Sequence, residues 1–148
     1  MQKQTINQSD PEKEFILCKN VSGATQTAGC PLYFDTVSVT DGFAVSGART
    51  GMAYLFAGIA ASDIADGKKG LCQTYGIASA FVQWSGALTA GNQLDYSASH
   101  AYLGLFTPAS ASSLTPMVAN AWNFVSVISA AASGISTATL EVVFVRAR

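Results

Sequence analysis

The sequence predicts an all-β protein: a single antiparallel β-barrel or sandwich domain with an extended N-terminal arm. Apolar residues alternate with period two in many short segments, which is the pattern of half-buried strands. Turn-forming residues, such as the Asp41-Gly42 pair, separate these segments at short intervals. No regular alternation of strands with long helical patterns occurs, so a parallel α/β sheet is not expected. A chain of 148 residues is long enough for one domain with its own core.

The arm comprises residues 1–13, and the β domain comprises residues 14–148. The arm is polar and includes Lys3, Asp10 and Pro11, a composition typical of a flexible segment. It is either a frayed terminus or an arm that lies over a neighbouring subunit in an assembly.

The first third of the domain is expected to form short strands. Glycine-containing turns at residues 22–24 and 28–29 delimit the first two of them. The predicted strands are residues 15–21, 31–35, 36–40 and 43–45.

The middle of the chain contains a long apolar run followed by a polar connection. Residues 52–60 are rich in aromatic side chains and predict a central strand. Residues 62–70 are polar and punctuated by glycine, with room for one helical turn. Residues 71–78 and 80–84 then predict two separate strands of a meander.

The remaining elements follow the same pattern, with one ambiguous segment. Residues 89–96 form a turn and a strand, residues 101–106 a further strand, and residues 107–116 a loop rich in Ser and Ala. The apolar residues in 117–132 fit both the helical period of 3.6 and the strand period of two. Their β-branched residues favour a strand near 125–128 and confine any helix to 117–122. A strand at 138–145 completes a set of nine or ten.

Charge is scarce, which favours an assembly component over a solitary catalyst. Charged residues make up 11% of the chain, against roughly 25% in a typical domain. From residue 70 to residue 140, Asp95 is the only formally charged side chain. Interface cores are depleted in charge and enriched in aromatic residues. Much of the outer surface is therefore expected to contact another protein.

Several partners and locations are not expected. A net charge of −1 and a pI of about 5.6 provide no electrostatic footprint for nucleic acid. No run reaches the ~18–20 apolar residues of a membrane-spanning helix. The polar N-terminus lacks the apolar segment of a secretory signal.

No constellation of residues predicts an enzyme or a metal site. Cys18, Cys30 and Cys72 lack paired spacing and predict buried reduced thiols, as in a reducing cytoplasm. His100 is the only histidine, and no GxSxG motif is present. We therefore expect no catalytic, cofactor-binding or metal-ligating residue and no cofactor.

The carboxylates have turn-forming interpretations, and the aromatic residues leave one alternative open. Most of the aspartates stand beside turns, where Asp bonds to its own backbone; they are Asp35, Asp41, Asp63, Asp66 and Asp95. The aromatic residues fit either core packing or a carbohydrate-binding platform; they are Trp84, Trp122, Phe34, Phe56, Phe81, Tyr54, Tyr75, Tyr96 and Tyr102.

The order of the segments resembles that of small head proteins of tailed bacteriophages, the capsid decoration or cement proteins. NVSGA at residues 20–24, followed by Gly29 and by LYFD at 32–35, resembles the opening of these proteins. FAGIA at 56–60, the polar connection 63–69 and GLCQTYG at 70–76 resemble the middle of the pattern. AGNQL at 90–94 resembles an "A-G-x-x-L" step, and LEVVFVR at 140–146 the terminal strand.

The resemblance spans residues 14–148, apart from the loop near Ser110 and the Trp122 segment, and it implies a mechanical function. A decoration protein binds the outer surface of a phage head and bridges major capsid subunits against internal pressure. The expected partners are the major capsid protein of the same phage and further copies of this chain, as a dimer or trimer. The expected location is the capsid exterior of the virion, after assembly in the host cytoplasm. The family implies no catalytic residues. A small carbohydrate-binding β module of a phage tail or spike is the alternative.

Overall fold

A computed structural model describes residues 12–35, 43–47, 56–84, 90–91, 93–96, 103–105, 124–127 and 135–147. These residues form strands and turns, with no helix among them, which confirms the all-β prediction. The strands are β1 (Glu14–Asn20), β2 (Pro31–Phe34), β3 (Ala44–Ser46), β4 (Phe56–Ala60), β5 (Lys69–Trp84), β6 (Gln93–Tyr96), β7 (Leu103–Leu105), β8 (Phe124–Val127) and β9 (Ile135–Arg146).

Five strands close into a barrel in the order β1, β3, β2, β4 and β5. The first half of β5 pairs with β1 along one edge and with β4 along the other, which closes the circuit. A closed barrel leaves no long unpaired strand edge within the circuit. The paired residues run from Glu14 opposite Tyr75 to Lys19 opposite Lys69.

The second half of β5 belongs to another circuit of pairings. There β5 is followed by β7, β6, β8 and β9, and β9 returns to β5. The β5–β9 ladder is the longest in the molecule's described part, from Tyr75 opposite Arg146 to Trp84 opposite Ile135. Tyr75 pairs with Glu14 on one edge and with Arg146 on the other, so it marks the passage from one circuit to the other.

Most pairings are antiparallel, as predicted, but two are parallel. β1 pairs in parallel with β3, and β5 pairs in parallel with β7. Parallel neighbours require a crossover connection. The β1–β3 crossover contains β2, which lies between them in sequence and pairs with the far edge of β3.

Two cores fill the fold, and β2 and β4 separate them. The first core consists of Cys18, Cys30, Leu32, Val45, Ala57, Ala60, Ile64 and Cys72. The second consists of Tyr33, Phe56, Ile59, Ala78, Ala80, Val82, Leu94, Leu103, Val143 and Val145. Successive side chains of a strand point to opposite faces, so Leu32 enters the first core and Tyr33 the second. Every residue of β4 is buried, which confirms a central strand over residues 56–60.

Gly58 allows β4 to approach β5 closely. Its φ is +137°, and a Cβ atom there would collide with the carbonyl oxygen of Gln73 and lie 2.8 Å from the Cys72 sulfur. Only glycine adopts such a conformation without strain and leaves that space open.

Two sequence predictions require correction. Residues 71–78 and 80–84 are parts of one strand, because Ser79 points to solvent and β9 pairs on both sides of it. Residues 61–68 contain no helical turn; they form an isolated bridge between Ile64 and Gln26 and a turn at Asp66 and Gly67. The predicted strand at 36–40, the helix at 117–122 and arm residues 1–11 lie outside the described residues. β1 begins at Glu14, the predicted first residue of the β domain.

Candidate interaction surface

The outer face of β1 and β5 carries an apolar strip, which we define as Phe15, Leu17 and Leu71. Leu17 and Leu71 are direct cross-strand partners, and Phe15 is the partner of Gln73. The exposed fractions are 45% for Phe15, 54% for Leu17 and 48% for Leu71. Large apolar side chains grouped on a surface mark interaction sites more often than single ones do.

The local sequence explains why the strip is exposed. Residues 15–18 are all apolar, so both faces of this part of β1 are apolar. The inner face places Cys18 in the first core, and Ile16 packs against that core. The opposite face therefore presents Phe15 and Leu17 outward. The register of β1 against β5 shifts between Glu14 and Phe15, and the side chains of both residues are exposed.

A second exposed apolar pair, Leu140 and Val142, lies on β9. Val142 is the partner of Ser79 and is 40% exposed, while Leu140 is the partner of Phe81 and is 55% exposed. Leu140 lies over Gly29, where a Cβ atom would come within 2.5 Å of its Cδ2 atom. We call these two residues the β9 patch.

Tyr75 and Phe144 lie on β5 and β9 between the strip and the β9 patch. Their rings meet edge to face, with centroids 5.3 Å apart and an interplanar angle of 80°. Both are half-buried. On the same side of β5, the apolar residues Leu71, Tyr75, Ile77 and Phe81 are interrupted by the polar Gln73 and Ser79.

Charged residues flank the strip at its two ends. At one end Lys19 and Lys69 are direct cross-strand partners. At the other end Glu14 is the partner of Tyr75, and Glu12 precedes it; both glutamates are exposed. Lys13, which is exposed between these glutamates, and Arg146, the partner of Tyr75 on β9, lie at the same end, so the charges there are of both signs.

The cysteines lie in the first core as free, buried thiols, as predicted. Cys18 and Cys72 are hydrogen-bonded to each other, which raises the pKa of Cys72, and burial raises it further. The same hydrogen bond lowers the pKa of Cys18 against the opposing effect of burial. The Cys18 thiol also donates to the carbonyl oxygen of Gly70 at 3.4 Å. The Cys30 sulfur lies 3.2 Å from the hydroxyl oxygen of Thr27.

Asp63 and Asp66 hold loops together. The Asp63 carboxylate accepts a hydrogen bond from the Ala28 amide at 2.8 Å, and Asp66 accepts one from the Gly23 amide at 2.9 Å. Asp66 and Gly67 form the predicted turn, with a φ of +69° at Gly67. Both carboxylates therefore have a structural role.

Asn20 joins the same loops from inside the protein. Its buried side-chain amide donates to the carbonyl oxygens of Ala24 at 2.7 Å and Ile64 at 2.8 Å. Its side-chain oxygen accepts from the amide of Ser22 at 3.0 Å and from the hydroxyl of Ser22 at 2.7 Å. The sequence did not single out this residue, although the turn beside it was predicted.

Several of the aromatic residues considered for a carbohydrate platform are used in packing. Tyr33 and Phe56 are buried in the second core, with ring centroids 5.8 Å apart. Phe34 and Phe81 pack against the first core. Tyr54, Tyr102 and Trp122 lie outside the described residues, and only the backbone is described for Trp84 and Tyr96.

The residues considered for chemistry are only partly described. His100 and Asp41 lie outside the described residues, and Asp95 is described as a position in β6. Within the described ranges, no three His, Cys, Asp or Glu side chains are grouped as metal ligands would be. Nowhere in these ranges does the chain form a helix with the length and hydropathy of a membrane span.

Comparison with known proteins leaves the family of this chain open. No protein-family model matches the chain, and a search of curated proteins finds no relative. Functional inference therefore depends on the surface described above and on the resemblance in the order of the segments.

Proposed function

We propose that this chain is a capsid decoration protein that binds the outer surface of a phage head. It bridges neighbouring major capsid subunits and resists the outward pressure of the packaged DNA. The observation that carries the proposal is the exposed β9 patch, Leu140 and Val142, in a chain with 11% charged residues. Apolar groups at this position provide a contact with another protein rather than a site for chemistry.

The shape of the fold supports this role. A closed barrel, two cores and buried dividing strands provide a stiff body, because close-packed interiors deform little. Each copy needs to bind only moderately, since many copies on one shell, or linked copies in an oligomer, gain avidity. The predicted arm, residues 1–13, would add a further contact with a neighbouring subunit.

Binding to heads tests the proposal. We expect the full chain to cosediment with heads assembled from the major capsid protein of the same phage and to raise their temperature of heat disruption. Leu140→Ser and Val142→Ser together should weaken cosedimentation, because they remove apolar area from the contact. Leu17→Ser, on the strip, is the matched control. Each copy of this variant should bind to heads as well as a wild-type copy does.

Two outcomes would contradict the proposal. Wild-type protein that neither cosediments with these heads nor changes their heat resistance would refute it. Saturable binding to glycans, without binding to heads, would instead favour the carbohydrate-binding module of a tail or spike.

A further inference from the structure

The two strands that close the barrel, β1 and β5, each place one cysteine in the first core. Cys18 on β1 has Gly70 as its direct partner. Cys72 lies two residues further along β5, so the two cysteines are diagonal neighbours on the inner face of one ladder. Gly70 has no side chain that would separate them. The two thiols are hydrogen-bonded to each other, so their sulfur atoms are in contact.

We propose that Cys18 and Cys72 form a disulfide bond that joins β1 to β5 and closes the barrel covalently. The oxidant is a peroxide, of which hydrogen peroxide is the simplest. This inference goes beyond the proposed function and rests on it only for the time of the reaction. A phage particle that leaves the reducing host cytoplasm enters an oxidising medium, where disulfides persist.

The reaction balances with two thiols and one peroxide. The Cys18 thiolate attacks an oxygen atom of hydrogen peroxide; an S–O bond forms, the O–O bond breaks, and the departing hydroxide takes up the former thiol proton as water. The Cys72 sulfur then attacks the sulfur of the Cys18 sulfenic acid; the S–S bond forms, the S–O bond breaks, and the second hydroxide leaves as water with the Cys72 proton. Two electrons pass from the sulfur atoms to the peroxide.

The surroundings of the two thiols favour this order of steps. The hydrogen bond with Cys72 lowers the pKa of Cys18, which favours the nucleophilic thiolate there. The same bond, burial and the negative charge of Cys18 raise the pKa of Cys72. Oxidation of Cys18 removes that charge, so the Cys72 proton leaves more easily in the second step. Both thiols are buried, and peroxide reaches them when β1, the first strand of the domain, opens locally.

Cys30 lies in the same core but is too far from Cys72 to compete. Its carbonyl oxygen accepts a hydrogen bond from the Ala60 amide, and Ala60 is the partner of Cys72. β4 therefore lies between Cys30 and Cys72, which places their Cα atoms two strand spacings, about 9 Å, apart. A disulfide does not span more than about 7 Å between Cα atoms. On the other side, β3 separates β2, which follows Cys30, from β1.

Peroxide treatment of the folded full chain, followed by alkylation in denaturant and peptide mass spectrometry, tests the inference. We expect Cys18 and Cys72 to be linked and Cys30 to be alkylated. Cys30→Ala is the matched control and should form the same bond. Cys72→Ala should stop at a Cys18 sulfenic acid, which dimedone traps. Far-UV circular dichroism will check that each variant is folded.

The melting temperature gives a second readout. The linked protein should melt about 5 °C higher than the reduced protein, because the bond restricts the unfolded chain, and dithiothreitol should reverse this shift. Cys72→Ala should show no such shift.

Three results would overturn the inference. They are a folded chain that keeps both thiols after treatment, a disulfide that includes Cys30, and a linked protein that melts no higher than the reduced one. Because no heads are present, this experiment is separate from the test of function. A chain that forms the disulfide but binds no head refutes the decoration role alone. A chain that binds heads but keeps both thiols after treatment refutes the disulfide alone.

Discussion

Cys18 and Cys72 lie on neighbouring strands of the barrel and share a hydrogen bond that shifts their pKa values in opposite directions. The pKa of Cys18 falls because a thiolate there accepts a hydrogen bond from the Cys72 thiol, although burial opposes this. The pKa of Cys72 rises because its proton is held in that bond and because the site is buried. The folded pair thus releases a first proton readily and retains the second.

This pair predicts a loss of stability in alkali. In the unfolded chain both thiols ionise near their usual pKa, about 8.5. The contribution of Cys18 to the free energy of unfolding increases with pH up to that value and then stays constant, because the pKa of Cys18 is lowered in the folded protein. The contribution of Cys72 is complete below that value and is lost above it, because its folded pKa is raised. The net effect above pH ~9 is a loss of stability that grows as the pH rises.

Urea unfolding from pH 7 to pH 10 measures this loss, with the double variant Cys18→Ala and Cys72→Ala as comparison. Tyrosine and lysine titrations affect both proteins, so only the difference between the two curves reports on the thiols. Parallel curves above pH 9 would show that the pair does not couple to folding.

Asn20→Ala is expected to destabilise the protein by about 2–4 kcal/mol, since it removes several hydrogen bonds from a buried site. The Ile64 and Ala24 carbonyl oxygens lose a donor, and Ser22 loses its acceptor. Denaturant unfolding gives the free energy directly. Ser22→Ala is the matched control, because it keeps the Asn20 amide bonds, and it should cost less than half as much. Equal losses in the two variants would locate the effect in Ser22.

Gly58→Ala should be among the most damaging single-methyl changes. The added Cβ atom meets the Gln73 carbonyl oxygen and the Cys72 sulfur, and the backbone φ of +137° is strained for alanine. We expect a loss of about 3 kcal/mol or more from strain and overpacking together.

Gly67→Ala provides the comparison, because its φ is also positive but no atom lies within 4 Å of the added Cβ. It should cost only the strain of about 1 kcal/mol. Thermal melts rank the two variants. A Gly58→Ala protein as stable as Gly67→Ala would mean that β4 and β5 can move apart without penalty.

Two deletions of the arm should differ in their effect on the melting temperature. The Glu12 carbonyl group lies against Gly76, so Glu12 contacts the barrel. Deleting residues 1–11 should leave the melting temperature of the isolated domain unchanged and weaken binding to heads. Deleting residues 1–13 should also lower the melting temperature. Unchanged head binding after the shorter deletion would refute a role for the arm.

The sequence predicted strands well where apolar periodicity was local and unbroken. β1, β2 and β9 occur where alternation and glycine turns placed them. The length of β5 was missed, because Ser79 resembles a strand break in sequence, and only the β9 partner shows that pairing continues. The parallel β1–β3 and β5–β7 pairs also depend on contacts between distant segments, which local pattern does not encode.

The sequence predicted an apolar outer surface, and the structure places its exposed apolar side chains only partly where they were expected. The charge-poor stretch, residues 70–140, was expected to supply it, yet its described side chains include core residues such as Ala78, Ala80 and Val82. Phe15 and Leu17 lie outside that stretch. Their signal was present in the sequence, since residues 15–18 are apolar on both faces of a strand.

β5 is a strand of both circuits of pairings. If either core unfolds, the other core therefore loses part of its structure as well. Residues 69–75 close one circuit and residues 75–84 close the other, within one uninterrupted strand. The two cores should therefore melt in one transition, and no cut in this part of the chain would release two pieces that fold alone. Almost every pairing of β5 joins residues far apart in sequence, which is typical of slow folding.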